Sequence, residues 1–94
     1  MLDYIQTWMI KEGKEQEHDR LLKEFIVRIG CNPYLDSVWF PPLQGADSRK
    51  RILAYRFKSA VDWRCFRASS IDELRWFVDK WVSYIDLDTF RIFF

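Results

Sequence analysis

One histidine, two cysteines and scattered carboxylates are the side chains here that could act as acid, base, nucleophile or metal ligand. His18, the single histidine, would serve as the general base or as a metal ligand. It stands in the charged run Lys14 to Arg20 with no Cys, Asp or His at metal-ligand spacing, so the pattern favours an exposed helix residue. Cys65 could meet His18 in space as a nucleophile. It lies between Arg64 and Phe66 in what reads as a strand, where a buried thiol is the commoner occupant. Asp86 and Asp88 could hold a cation, but calcium takes about six to eight oxygens and their neighbours offer too few. The three glycines, at 13, 30 and 45, build neither a phosphate-cradling loop nor a dinucleotide fingerprint. These residues point to a non-enzymatic protein that needs no cofactor and no metal.

Binding features are easier to find. The first half of the chain is net acidic and the second half net basic. The excess is concentrated in Arg49, Lys50, Arg51, Arg56, Lys58, Arg64 and Arg67, which meet Asp62 alone and alternate with Tyr55, Phe57, Trp63 and Phe66. Such a surface suits an acidic partner protein, or a single-stranded nucleic acid whose bases stack on the rings. Trp76 falls about 200° round its helix from Leu74, among polar residues, where a large ring serves as a binding anchor. Trp39 belongs to an aromatic-proline segment, Val38 to Leu43, that could join the same surface.

The elements that would position these residues follow from periodicity. Ser70-Ile71-Asp72-Glu73 has the form of a capping box. Leu74, Phe77, Val78, Trp81, Val82 and Ile85 continue it as one apolar helical stripe, ended by Asp86-Leu87-Asp88. A second stripe, Leu21, Leu22, Phe25, Ile26 and Ile29, stops at Gly30 and Pro33. Its first turns, Lys14 to Arg20, carry no apolar side chain and are expected in solvent. Arg51 to Lys58 and Trp63 to Ala68 read as a hairpin around Ser59-Ala60-Val61-Asp62. Phe90 to Phe94 reads as a last strand, apolar on both faces and able to mediate self-association. Leu2 to Lys11 fits a strand or a short helix, and the strand is favoured. The twenty or so residues from Cys31 to Lys50 form a long Pro-containing connection in which Ser37 to Phe40 is a short extra strand or an aromatic plug.

With the first strand in place the order is β-α-β-β-α-β, which resembles ferredoxin-like domains in element order and implies two helices on one face of a small antiparallel sheet. RNA-recognition motifs share that geometry, but Trp63 to Ala68 lacks their Gly-aromatic pattern.

Composition bounds the rest. Ninety-four residues, 49% of them hydrophobic and 31% charged, suit a single compact α+β domain over 1–94. Eight Phe, five Trp and four Tyr exclude a disordered chain, and three Gly with three Pro exclude a collagen-like one. A formal charge of +1 argues against a dedicated nucleic-acid binder. The opening Met1-Leu2-Asp3-Tyr4 lacks the basic start of a secretory signal, and no uncharged run approaches the about 20 residues of a membrane span. With two unpaired thiols expected, mostly buried, the sequence reads as cytoplasmic and without a membrane partner. The expectation is a small regulator, inhibitor or adaptor that binds an acidic protein surface, with single-stranded nucleic acid as the alternative partner.

Overall fold

Residues 1–40 and 49–94 are described by the structure, a computed structural model. The elements are β1 (Leu2–Ile10), α1 (Glu15–Ile29), β2 (Ser37–Trp39), β3 (Lys50–Phe57), α2 (Ala60–Ser69), α3 (Ile71–Trp81), a 3-10 turn (Val82–Tyr84) and β4 (Ile85–Phe93). The strands form one antiparallel sheet in the order β2-β3-β1-β4, with the ferredoxin-like crossovers. The expected fold class is therefore the observed one.

β1 owes its strand form to β-branched and aromatic side chains that pair on both edges. Tyr4 lies opposite Tyr55, Trp8 opposite Arg51 and Ile10 opposite Ile85. This register sends Tyr4, Gln6, Trp8 and Ile10 toward the helices, and Asp3, Ile5, Thr7 and Met9 to the outer face. Gly13, at φ +82°, takes the left-handed conformation that the turn into α1 requires.

α1 begins a turn earlier than its apolar stripe. His18 lies three, four, seven and eleven residues before Leu21, Leu22, Phe25 and Ile29, so helical spacing puts it on the same inward face. It is 0% exposed, not a solvent-facing residue as its charged neighbours suggested.

The hairpin is also revised. Its strands are β2 and β3, paired from Ser37↔Arg56 to Trp39↔Ala54, whereas Trp63 to Ala68 belongs to α2. Strand alternation would mix Trp63, Cys65 and Arg67 on one face, while helical spacing brings Trp63, Phe66 and Ser70 together. Ser59 fixes the helix start by accepting a hydrogen bond from the Asp62 amide at 3.2 Å.

Ser70 caps nothing with its side chain. Its backbone N–H closes α2 on Phe66, and its hydroxyl accepts from Asn32 Nδ2 at 2.7 Å. α3 stops at Trp81, and Asp86 and Asp88 lie within β4 rather than at a helix end. There the β1–β4 register shifts between Thr7 and Met9; Thr89 Oγ1 accepts from the Met9 amide at 2.9 Å and donates to the Asp86 carbonyl at 2.6 Å.

The core between helices and sheet holds Trp8, Ile10, Leu22, Phe25, Leu53, Phe57 and Ile85, each close to fully buried. At about 1.5–3 kcal/mol per large apolar side chain, these residues dominate stability. Phe25 stacks on Phe77 at 4.1 Å and Trp8 meets Trp81 edge-on at 5.2 Å. Both cysteines are free; Cys65 is partly buried, and Cys31 is exposed just past α1 rather than buried as expected. Among the described residues, no helix is long and apolar enough to cross a membrane.

Candidate functional site

A cavity of about 80 Å³ opens between the sheet and the second helical layer. β1 contributes Tyr4 and Gln6, β3 contributes Tyr55 and Phe57, α2 contributes Trp63, Phe66 and Arg67, and α3 contributes Leu74. Two pairings build it. Tyr4 and Tyr55 face each other across the β1–β3 ladder with ring centroids 5.8 Å apart. The Ser59 cap then sets α2 so that Trp63 closes over Tyr4, also at 5.8 Å. Phe94 sits at the edge of this cluster, 5.0 Å from Tyr4 and 5.8 Å from Trp63.

The cavity is mostly apolar, with a few polar atoms. Gln6 Nε2 donates a long 3.4 Å hydrogen bond to the Tyr4 hydroxyl. Tyr55 is only 5% exposed, and its hydroxyl makes no hydrogen bond to any described residue. Burial, reinforced by neighbouring Tyr4, pushes the Tyr55 phenol well above its usual pKa. It therefore stays protonated and can offer a hydrogen bond to a bound molecule but cannot act as a base. The Arg67 guanidinium stacks on the Trp63 ring with its central carbon 4.0 Å from the centroid.

A separate polar chain runs through the core. Trp8 Nε1 donates to His18 Nε2 at 2.8 Å, and His18 Nδ1 lies 3.0 Å from Asp19 Oδ1. Arg51 grips both Asp19 oxygens at 3.0 Å each. An indole nitrogen can only donate, so Nε2 is the acceptor and the imidazole proton resides on Nδ1, facing Asp19. Burial pulls the His18 pKa below 6.5 despite the Asp19 carboxylate, which favours the neutral ring. Burial also pushes the Asp19 carboxyl up, but the hydrogen bonds from Arg51 and His18 outweigh it and leave its pKa below the usual value. His18 is thus committed to satisfying Trp8 and does not line the cavity. By contrast, the buried Trp81 indole N–H has no hydrogen-bond partner among the described residues. Among the described residues, no three His, Cys, Asp or Glu side chains gather into a metal-binding group.

The basic residues singled out in the sequence do not share one face. Arg51 turns inward to Asp19, while Arg56 lies on the outer face in a two-pronged pair with Asp3 at 2.7 and 3.0 Å. The hydrogen bonds from Arg56 hold the Asp3 carboxyl below its usual value. Arg49 reaches the Ile10 carbonyl at 3.4 Å and Asp86 at 3.9 Å. Lys50, Lys58 and Arg64 are exposed on β3, in the turn before α2 and on α2 respectively. Trp39 is on the outer face, opposite Ala54 and 5.5 Å beneath the Arg56 guanidinium. Trp76 is half-buried under Arg28 of α1, 3.9 Å from its ring centroid. Pro41 to Leu43 of the aromatic-proline segment lie outside the described residues. Tyr55, Phe57, Trp63 and Phe66, singled out as stacking rings, do come together, joined by Tyr4, but on the helix-covered face. Gln6 and Leu74 as lining residues, and the unpaired Tyr55 hydroxyl, escaped the sequence reading because they meet only across four elements.

The topology and the site define a ferredoxin-like domain with a partly open cavity of about 80 Å³ under its helices. No family model matches the sequence, and no curated protein matches it significantly. Solved structures do match in fold. One named an antibiotic biosynthesis monooxygenase superposes with a TM-score of 0.80 at 13% identity, covering 99% of this chain and 94% of the other. A Nitrosomonas europaea protein, provisionally named an antibiotic biosynthesis monooxygenase, gives 0.81 at 10% identity, covering 97% and 84%. An Agrobacterium tumefaciens protein gives 0.75 at 18% identity, covering 99% and 89%. At these identities the likeness is one of fold. It nevertheless corrects the expectation of a non-enzymatic interaction module and its nucleic-acid alternative: two of the solved structures that share the fold over nearly the whole chain carry the name of a monooxygenase. Absence of a short catalytic motif was poor ground for excluding catalysis, because this site assembles from distant single residues.

Proposed function

We propose that this domain is a small-molecule monooxygenase that binds a flat, largely apolar substrate in the cavity between Tyr4, Tyr55 and Trp63. The carrying observation is that cavity: walled by aromatic rings, lined by Tyr55 whose hydroxyl has no partner among the described residues, and set in a fold shared with proteins named as monooxygenases. Monooxygenation places one atom of dioxygen in the substrate and releases the other as water, with two electrons and two protons drawn from a reductant or from the substrate itself. In that chemistry the aromatic walls exclude water and hold the ring. The protonated Tyr55 hydroxyl donates to the substrate oxygen as negative charge develops there. A reducing, cytoplasmic setting belongs to the same proposal and is supported by the two free thiols.

The test is dioxygen consumption by the purified protein with a panel of phenols and hydroquinones, with and without reduced nicotinamide, followed by mass analysis of products formed under labelled dioxygen. Enzyme-dependent uptake with label in the product is expected, and Tyr55→Phe should slow it by about tenfold or more. Uptake no faster than the substrate blank across the panel would refute the reading.

A further inference from the structure

Of the arginines at 49, 51, 56, 64 and 67, Arg67 alone lines the cavity. Arg51 and Arg56 each grip a carboxylate with two prongs, and Arg49 approaches Asp86. Arg67 lines the cavity with its guanidinium carbon 4.0 Å from the Trp63 ring centroid, and has no hydrogen bond or ion pair to any described residue. Stacking uses the face of the guanidinium and leaves its N–H donors in the plane, a fork shaped for a carboxylate. Tyr55 supplies the second unsatisfied group: it is 5% exposed, lines the same cavity and has an unpaired hydroxyl. Gln6 adds an amide held only by a long bond.

Size restricts what can lie between these groups. The cavity, at about 80 Å³, is roughly half the volume of an engineered apolar cavity, about 150 Å³, that takes up benzene. The enclosed part therefore admits one ring at most, and any further group on that ring must sit in the open mouth. We propose that the ligand of this cavity is a single-ring aromatic carboxylate, its ring against the Tyr4–Trp63 pair, its far polar substituent at Tyr55 and its carboxylate on Arg67. This deepens the functional reading and rests on the cavity being the substrate site.

Calorimetric titration of 4-hydroxybenzoate and its uncharged methyl ester into the full chain tests the inference without requiring turnover. The acid should bind about tenfold more tightly than the ester, a difference of about 1.4 kcal/mol. Arg67→Gln should abolish that preference. Arg64→Gln, the same residue type about one turn earlier on α2 and outside the cavity lining, should leave both affinities unchanged. Should Arg67→Gln melt early, Arg67→Lys keeps the charge and loses the planar fork, and is expected to retain only part of the preference. Equal binding of acid and ester by the unaltered protein would refute carboxylate recognition while leaving the cavity as a substrate site. A preference that survives Arg67→Gln would refute the assignment to Arg67. Binding of neither compound would refute both the ligand class and the cavity as the place of reaction.

Discussion

Replacing His18 by Leu isolates the hydrogen bond at the centre of the core. Leucine restores most of the imidazole volume at a site that is 0% exposed, so the cavity penalty is small. The acceptor for Trp8 Nε1, now at 2.8 Å, disappears, and Trp8 is itself only 1% exposed, so water cannot replace it. An orphaned buried donor costs about 1–3 kcal/mol. Asp19 loses one donor too, but Arg51 keeps both its oxygens occupied and the carboxylate is partly solvated, which adds little. The expected loss is thus about 1–3 kcal/mol, or a fall in melting temperature of about 4–8 °C for each kcal/mol in a chain of this size. Urea unfolding should show a lower midpoint at unchanged slope. In a Trp8→Phe background no indole N–H remains, so adding His18→Leu should cost markedly less, with a coupling of about 1 kcal/mol or more. A loss within about 0.5 kcal/mol, equal in both backgrounds, would show that His18 is not the buried partner of Trp8.

Three further outcomes are expected. Because the folded His18 has its pKa below 6.5, the unfolded chain takes up a proton first as pH falls; stability should be full above about pH 6.5 and drop through that value toward the lower folded pKa, a dependence His18→Leu should flatten in urea midpoints measured across that window. Ser59→Ala should cost about 1 kcal/mol by removing the cap on α2, and should weaken 4-hydroxybenzoate binding because Trp63 and Arg67 hang on that helix. Trp76→Ala should lower the melting temperature by an amount matching about 1–2 kcal/mol, from lost burial and the Arg28 stack, and leave cavity binding intact; an unchanged melting curve would contradict its packing against α1.

How much the sequence disclosed depended on element length. The stripes of α1 and α3 run for several turns, and their inward residues Leu22, Phe25, Phe77 and Trp81 were all legible. Leu2 to Ile10 became a strand because tertiary pairing on both edges decided what periodicity over nine residues left open. Trp63 to Ala68 was misassigned for a related reason: six residues fit either period, and the deciding signal was Ser59 three places before Asp62. His18 was masked by its charged neighbours, although extending the Leu21–Ile29 stripe one turn back would have found it. β2 falls where Ser37 to Phe40 offered a short strand or an aromatic plug, and three residues are too few for alternation to decide between the two. Trp76 lies off the apolar stripe of α3 and is covered by an arginine of another helix, which no local pattern reports. The cavity was least legible, since Tyr4, Tyr55, Arg67 and Leu74 have no spacing in common.

The enclosure of the single histidine gives the molecule a chemical clock. An imidazole-directed acylating reagent can reach His18 only when α1 lifts from the sheet, so its rate of modification follows the opening equilibrium rather than surface reactivity. Cys31, exposed beyond the end of the same helix, takes an alkylating reagent without any such opening. Labelling both in one sample sets an internal zero against which ligand protection can be read: a compound that seats under α2 and stabilises the closed form should slow the acylation of His18 and leave the alkylation of Cys31 untouched.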